Sequence, residues 1–403
     1  MLAIPWYFED TLGDRGMFGR LFTIVTFFSI FWGVYSGILV DKYNRKKLFL
    51  AENITGACCL LAIGAYGFSQ QAVPVALVCL TFAITVFIYN VHYPTLYAFA
   101  QELVEPKDYK KITSYIEIQG QLASMTAGGL AAILLSGVQG GESYLGDLIN
   151  LNFDIEAWPL HRIFLVDGLS YTIAIFCILM IRYTSTKKRE LEIGSAVARL
   201  KVGIRFLRNN PLIFVFGVAG GILFATILIL NFYLSPGYIN EILKGDGTTY
   251  GLGELGWALG SVLAGVFIRF LFTKKSEVFV VVLLTCIAIG AYFTLIGFHS
   301  VYLFYGLITL LGFTNAGSRI MRVSYLLKLV PNQLIGRANS VTRFVGTSIR
   351  FMLAAMLTLP FFVDHILLSL GILGSSCIIA VVVILFYYKQ LVALTPSDVK
   401  NQG

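Results

Sequence analysis

Eleven apolar runs divide this chain, each about 20 residues long and so able to cross a hydrocarbon core of roughly 30 Å as a helix. They span 17–40, 48–68, 74–100, 112–138, 162–183, 211–235, 249–271, 277–298, 302–329, 338–360 and 366–388. In lipid a backbone must satisfy its own hydrogen bonds, and runs of this length do so as helices. The chain is therefore expected to be all-α and polytopic, with the lipid bilayer as its solvent. Charged residues make up 13% of it, against roughly 25% in soluble domains. So few charges cannot cover a water-facing surface of this size, but a lipid-facing surface needs none.

Lys and Arg set the orientation. Of 30, 21 lie in 41–47, 101–111, 182–210, 272–277, 328–337 and 389–403. Only Arg15, Arg162 and Lys244 lie in the alternate connections. The positive-inside rule puts the first set, and the C-terminus with it, in the cytoplasm. The net charge of +8 is thus a property of short loops, and no nucleic-acid partner is expected. The six cysteines, Cys58, Cys59, Cys79, Cys177, Cys286 and Cys377, sit inside apolar runs without metal-ligand spacing. Neither a disulfide framework nor a metal site is expected. No nucleophile motif or phosphate loop points to an enzyme, so no catalytic residue is assigned.

An internal repeat orders the runs. Leu103-Val104 matches Leu329-Val330, Lys111 matches Arg337, Ser114 matches Ser340 and Gly120 matches Gly346, each 226 positions apart. Tyr7 aligns with Tyr233 in the same register. Two parallel six-helix halves follow. In this register the first helix would begin ahead of Met1, so residues before 17 are expected to be the end of a truncated helix 1. That gives eleven full spans and a stub. The expected divisions are a first bundle at 1–183, a cytoplasmic linker at 184–210, a second bundle at 211–388 and a tail at 389–403. In the linker, Val202, Ile204, Phe206 and Leu207 interleave with Lys201, Arg205 and Arg208. That pattern suits a helix lying on the membrane surface or one packed beneath the bundle.

The densest basic cluster of the first half is Gly37-x-x-x-Asp41-Lys42-x-Asn44-Arg45-Lys46-Lys47. It resembles the signature between helices 2 and 3 of the major facilitator superfamily, with Asn44 where glycine is usual. Asparagine tolerates left-handed backbone angles, so the turn is expected to survive the exchange. Pro331-x-x-x-x-Gly336-Arg337-x-x-Ser340 and Arg205-Phe-Leu-Arg-Asn-Asn-Pro211 resemble segments of exporter-like members of that superfamily. The resemblance implies a secondary transporter with a cytoplasmic gate at Gly37, Asp41, Lys42, Arg45, Lys46 and Arg337, in which Asp41 caps the start of helix 11. A carboxylate gains about 0.3–1 kcal/mol beside a helix N-terminus. Gly128-Gly129 lacks the proline of the antiporter signature that the resemblance leads one to seek there.

Ionisable groups in hydrocarbon usually line a cavity or pathway. Candidates for substrate binding or coupling are Asn90, His92, Glu117, Asp167, Glu254, Arg319, Arg322, Arg343 and Arg350. Arg20, Glu52 and Arg269 lie near run ends, where snorkelling is the expectation. His92 has the side chain whose charge changes near neutral pH, although a lone histidine also serves as a structural hydrogen-bonder. Glu117 and Arg343 hold equivalent repeat positions. Gly256-x-x-x-Gly260 suits close helix packing.

The preferred expectation is a monomeric transporter in the inner membrane of a bacterium. It would work by alternating access and export a small amphipathic molecule, as an antiporter coupled to protons or another ion and without a cofactor. One alternative is uptake or exchange of an organic anion held by the intramembrane arginines. Another is a receptor or scaffold that keeps a transporter fold and moves nothing.

Overall fold

The computed structural model describes the 403-residue chain except residues 1, 106–108, 138–142, 145–148, 151–153, 184–195, 273–274, 332–333 and 400–403. The protein is helical, apart from a two-residue antiparallel pair, Ser143–Tyr144 with Ile149–Asn150. The long helices follow the apolar runs: α2 (Arg15–Lys42), α3 (Arg45–Gln70), α4 (Val75–Leu103), α5 (Tyr109–Ser136) and α6 (Leu160–Met180) in the first half. In the second half they are α11 (Gly247–Leu271), α12 (Glu277–Gly297), α13 (Val301–Leu329), α14 (Ile335–Leu357) and α16 (Ile366–Phe386). The short α1 (Ala3–Trp6) precedes them. The sixth run is broken into α8 (Pro211–Ala219), α9 (Ile222–Ile229), a π-helical turn (Leu230–Leu234) and α10 (Ser235–Gly237). The remaining short helices are α7 (Ala196–Asn209), α15 (Pro360–Val363) and α17 (Tyr388–Ala393).

Among the described residues, nine helical runs are long and apolar enough to cross a membrane. α5 and α14 fall short of that measure although both are helices. The described apolar stretch of α5 is only Leu122–Ala131, and α14 carries Arg337, Arg343 and Arg350. Lipid-facing stripes are plain on other helices. Val166, Leu169, Ile173, Phe176 and Met180 of α6 are all exposed, at spacings of three and four. They form one apolar face that water would not tolerate.

Contacts divide the chain into two units. Unit 1 holds 1–14, 31–192 and 245–252, and unit 2 holds 15–30, 193–244 and 253–403. The start of α2 therefore belongs with the second half, and the start of α11 with the first. In unit 1, α3 and α6 pack closely through small residues. A side chain at Gly64 would press on Leu165, and one at Gly168 would press on Leu61. In unit 2, α11 and α13 meet backbone to backbone. A Cβ on Gly260 would collide with the Thr309 carbonyl, and one on Gly312 with the Trp257 carbonyl. This is the close packing expected from Gly256-x-x-x-Gly260. The linker helix α7 packs instead of lying free on a surface. Phe206 and Leu207 are buried in the unit 2 core with Ile213, Phe216 and Leu326, while Lys201, Arg205 and Arg208 stay exposed.

Three π-helical turns lie among the described residues: Tyr7–Thr11 after α1, Leu230–Leu234 after α9 and Tyr238–Leu243 after α10. The first and third share a local pattern, each beginning at the Tyr of Pro-x-Tyr, Pro5-x-Tyr7 and Pro236-x-Tyr238, and each leading to Gly-Asp, Gly13-Asp14 and Gly245-Asp246. This pattern sets Tyr7 beside Tyr238, 231 positions away, as well as beside Tyr233 in the 226 register.

Candidate functional site

The clearest site is in unit 1, between α3, α4 and α6. Glu52 sits seven residues into α3, about 10 Å from its first residue at 1.5 Å per residue. Its side chain is 5% exposed, and Oε1 lies 2.8 Å from His92 Nδ1 on α4. The second carboxylate oxygen is buried without a hydrogen-bond partner among the described residues. His92 is 34% exposed, so the pair is dry at one end and open at the other. It opens on a cavity of about 360 Å³ lined by Asn53, Tyr89, His92, Tyr93, Asp167, Ser170 and Tyr171, among others. Helical spacing builds this wall. Thr85, Ile88, Tyr89 and His92 share one face of α4, and Asp167, Ser170, Tyr171 and Ala174 share one face of α6. Gly56 lets the Tyr171 ring approach α3. Phe49 packs on the imidazole at 5.1 Å between ring centres. Pro94 lies inside α4 and supplies no amide to the carbonyl of Asn90, so the helix ladder lapses beside His92.

A carboxylate oxygen and an imidazole nitrogen at this distance form a hydrogen bond. The bond to Glu52 fixes Nδ1, leaving Nε2 as the nitrogen with which the ring can meet solvent or cargo. Of the residues singled out in the sequence, His92 and Asp167 come together here. Asn90 does not line the cavity, and its amide bonds the Val86 carbonyl one turn back. Glu52 corrects an expectation. It is a buried partner, not a snorkelling group, because its carboxylate turns inward onto His92 of α4. Its depth in α3, with an adjacent Asn53, is the signal the sequence carried.

The signature cluster forms straps within unit 1. Gly37 falls within α2, and the side chain of Asp41 lies outside the described residues. Lys42 is exposed, its ammonium 5.6 Å from the centre of the Tyr43 ring. Asn44 is not left-handed. It has φ −59° and ψ 124°, and its side chain accepts from the Lys47 amide as the N-cap of α3. Arg45 pairs with Glu102 at 2.7 Å and donates to the Ala98 carbonyl on α4. Tyr183 donates to the same carboxylate. Lys46 donates to the carbonyls of Leu179 and Ile181 at the end of α6. Cations thus meet the C-terminal ends of two helices, where the dipole favours them.

In unit 2, Arg337 stands in the first turn of α14, which packs against α7 near Gly203. Arg343 is exposed, and Glu254, Arg319 and Arg350 are half-buried. Arg322 donates to the Gly217 carbonyl at 3.1 Å. The side chains of Glu117 and Arg269 lie outside the described residues. A buried arginine read as a loop residue also emerges. Arg15 begins α2, is held at 2.9 Å by Glu241, and donates to the Val363 carbonyl. Among the described residues no group of three or more His, Cys, Asp or Glu could hold a metal ion.

This geometry defines a class, a multi-pass helical membrane protein with ionisable groups and a polar cavity among its spanning helices. The sequence profile of the Major Facilitator Superfamily matches residues 1–355, and the chain belongs to that family. By structure it is similar to a mutant of the nucleoside transporter NupG, with a TM-score of 0.69 at 12% identity over 97% of this chain and 94% of that one. It is also similar to a bacterial homologue of the iron transporter ferroportin in an inward-facing state, with a TM-score of 0.61 at 16% identity over 96% and 94%. A third likeness, to a bacterial metal transporter, has a TM-score of 0.59 at 13% identity over 96% and 94%. At these identities the likeness establishes the fold alone. No curated protein matches the chain by sequence.

Proposed function

We propose that the chain is a secondary active transporter, working by alternating access, that couples proton movement to the export of a small amphipathic organic molecule. One observation carries the coupling, the buried Glu52–His92 pair opening on the unit 1 cavity. A pair that is dry at one end and open at the other can take up a proton from one side and release it when its surroundings change. Tyr89, Tyr93 and Tyr171 give the cavity wall both apolar rings and hydroxyls, which suits an amphipathic cargo. The direction rests on the resemblance of 205–211 and 331–340 to exporter-like segments. The Lys and Arg distribution supports a cytoplasmic C-terminus in a bacterial inner membrane, and the repeat supports bundles at 1–183 and 211–388.

The test is flux into and out of proteoliposomes under an imposed proton gradient, screened over cationic, neutral and anionic organic compounds. Gradient-driven flux is expected for the wild type, and its loss is expected for Glu52→Gln and His92→Gln. Flux that ignores the gradient would sink the coupling. Absence of flux for every compound would favour a receptor or scaffold.

A further inference from the structure

The sixth apolar run breaks where a half-buried arginine presses on it. α8 ends at Ala219 and α9 starts at Ile222. The Gly220 amide turns back to the Phe216 carbonyl and the Gly221 amide to the Val218 carbonyl. Gly221 is the N-cap of α9 and offers no side chain to its first amides. Arg322, on α13, fills the space these glycines leave. A Cβ on Gly221 would stand 2.5 Å from Arg322 Nη1, and one on Gly220 3.2 Å from Arg322 Cδ.

The guanidinium is poorly matched. It has five N–H donors. Nη1 bonds the Gly217 carbonyl, while Nε is buried without a hydrogen-bond partner among the described residues. No described carboxylate lies within ion-pair distance of it. Glu241 is held by Arg15, Glu277 faces Lys328 at 3.8 Å, and Asp398 caps Thr395. The neighbouring charge on its own helix, Arg319, is one turn away and has the same sign. A cation partly withdrawn from water, with a like charge one turn away and no counter-ion among the described residues, is an expensive arrangement. A planar donor set beside uncapped helix amides is also the geometry that a carboxylate or phosphate recognises.

We infer that Arg322 and the break at Gly220–Gly221 form a binding site for a soluble oxyanion, a carboxylate or phosphate group carried by the transported molecule or its counter-substrate. The assignment to a transported molecule rests on the transport reading above; the oxyanion site itself does not. Gly221 is there because any larger residue would displace the guanidinium. Arg322, of the five arginines on α13 and α14, is the one that packs into the Gly220–Gly221 break.

The test is the thermal stability of the purified full chain, read in detergent and in nanodiscs, against inorganic phosphate, succinate and chloride at matched ionic strength. Phosphate or succinate is expected to raise the melting temperature by several degrees in wild type and chloride is not. The rise is expected to vanish in Arg322→Gln and Gly221→Ala and to persist in part in Arg322→Lys, which keeps the charge and loses the fork. Arg343→Gln is expected to keep it. Equal rises with all three salts, or none, overturn the site. So does stabilisation seen only in phosphatidylglycerol nanodiscs over phosphatidylcholine ones, which would make the ligand a lipid. A wild type blind to anions alongside an Arg322→Gln variant that merely melts earlier also overturns it, leaving a structural wedge. The readout needs no flux, so a failed transport assay leaves it standing and a failed binding assay leaves the transport reading standing.

Discussion

The guanidinium of Arg15 lies 2.9 Å from the carboxylate of Glu241, 226 positions further along the chain. Arg15 is 6% exposed and Glu241 48%, so the two partners are not equivalent. Removing Glu241 leaves a buried cation with the Val363 carbonyl, whereas removing Arg15 leaves an acid that water can reach. Glu241→Gln is therefore expected to cost about 2 kcal/mol, within the range for breaking hydrogen bonds to charged groups. Arg15→Met should cost about half as much or less, because an exposed carboxylate needs little replacement. Melting temperatures of the two variants in detergent check the order. The reverse order would mean that Arg15 packs more than it pairs.

Helix contact through glycine gives a sharper contrast. Gly260 has no room for a methyl group, since the Thr309 carbonyl occupies that place, while Gly265 on the same helix faces open space. Gly260→Ala is expected to cost about 1–3 kcal/mol as overpacking. Gly265→Ala is expected to be neutral, or to gain about 0.5–1 kcal/mol from helix propensity. Yield and melting temperature of the paired variants read the difference.

Asn44 acts through its side-chain cap. Replacing it with alanine should cost about 1 kcal/mol, and replacing it with glycine only a few tenths. A glycine variant as unstable as the alanine one would show that the bond to the Lys47 amide is not what matters there.

Acid affects the first π turn, which holds Asp10. Partial burial and the nearby Asp246 carboxylate hold the carboxyl of Asp10 above the usual aspartate range. A raised acid is favoured protonated in the folded state, so this contribution is full below the unfolded value of about 3.9 and is lost as pH rises through the folded one. Asp10→Asn is therefore expected to stabilise the protein relative to wild type at neutral pH and to lose that advantage near pH 4. Melting curves of both proteins from pH 4 to 7 test the sign.

The helices were legible because a bilayer leaves the backbone little choice, and apolar length alone set the positions of α2 to α6. The Glu52–His92 pair was only half legible. His92 stood out as a histidine inside a run, but its partner is 40 residues away on another helix, and no local pattern links them. Asn44 was misread because propensity names the angles a residue tolerates, while the N-cap bond decided which it took. Arg15 was read as a loop charge because its burial depends on Gly237, which leaves space for the guanidinium. Arg322 was visible as one of four arginines, and only the break at Gly220–Gly221 distinguishes it.

The π turns at Tyr7–Thr11 and Tyr238–Leu243 carry a further consequence. A π turn is rare and often marks a functional site. Two of the three in the described residues stand behind the same Pro-x-Tyr and ahead of the same Gly-Asp. The likeness between the two halves is therefore one of backbone irregularity as well as of apolar length.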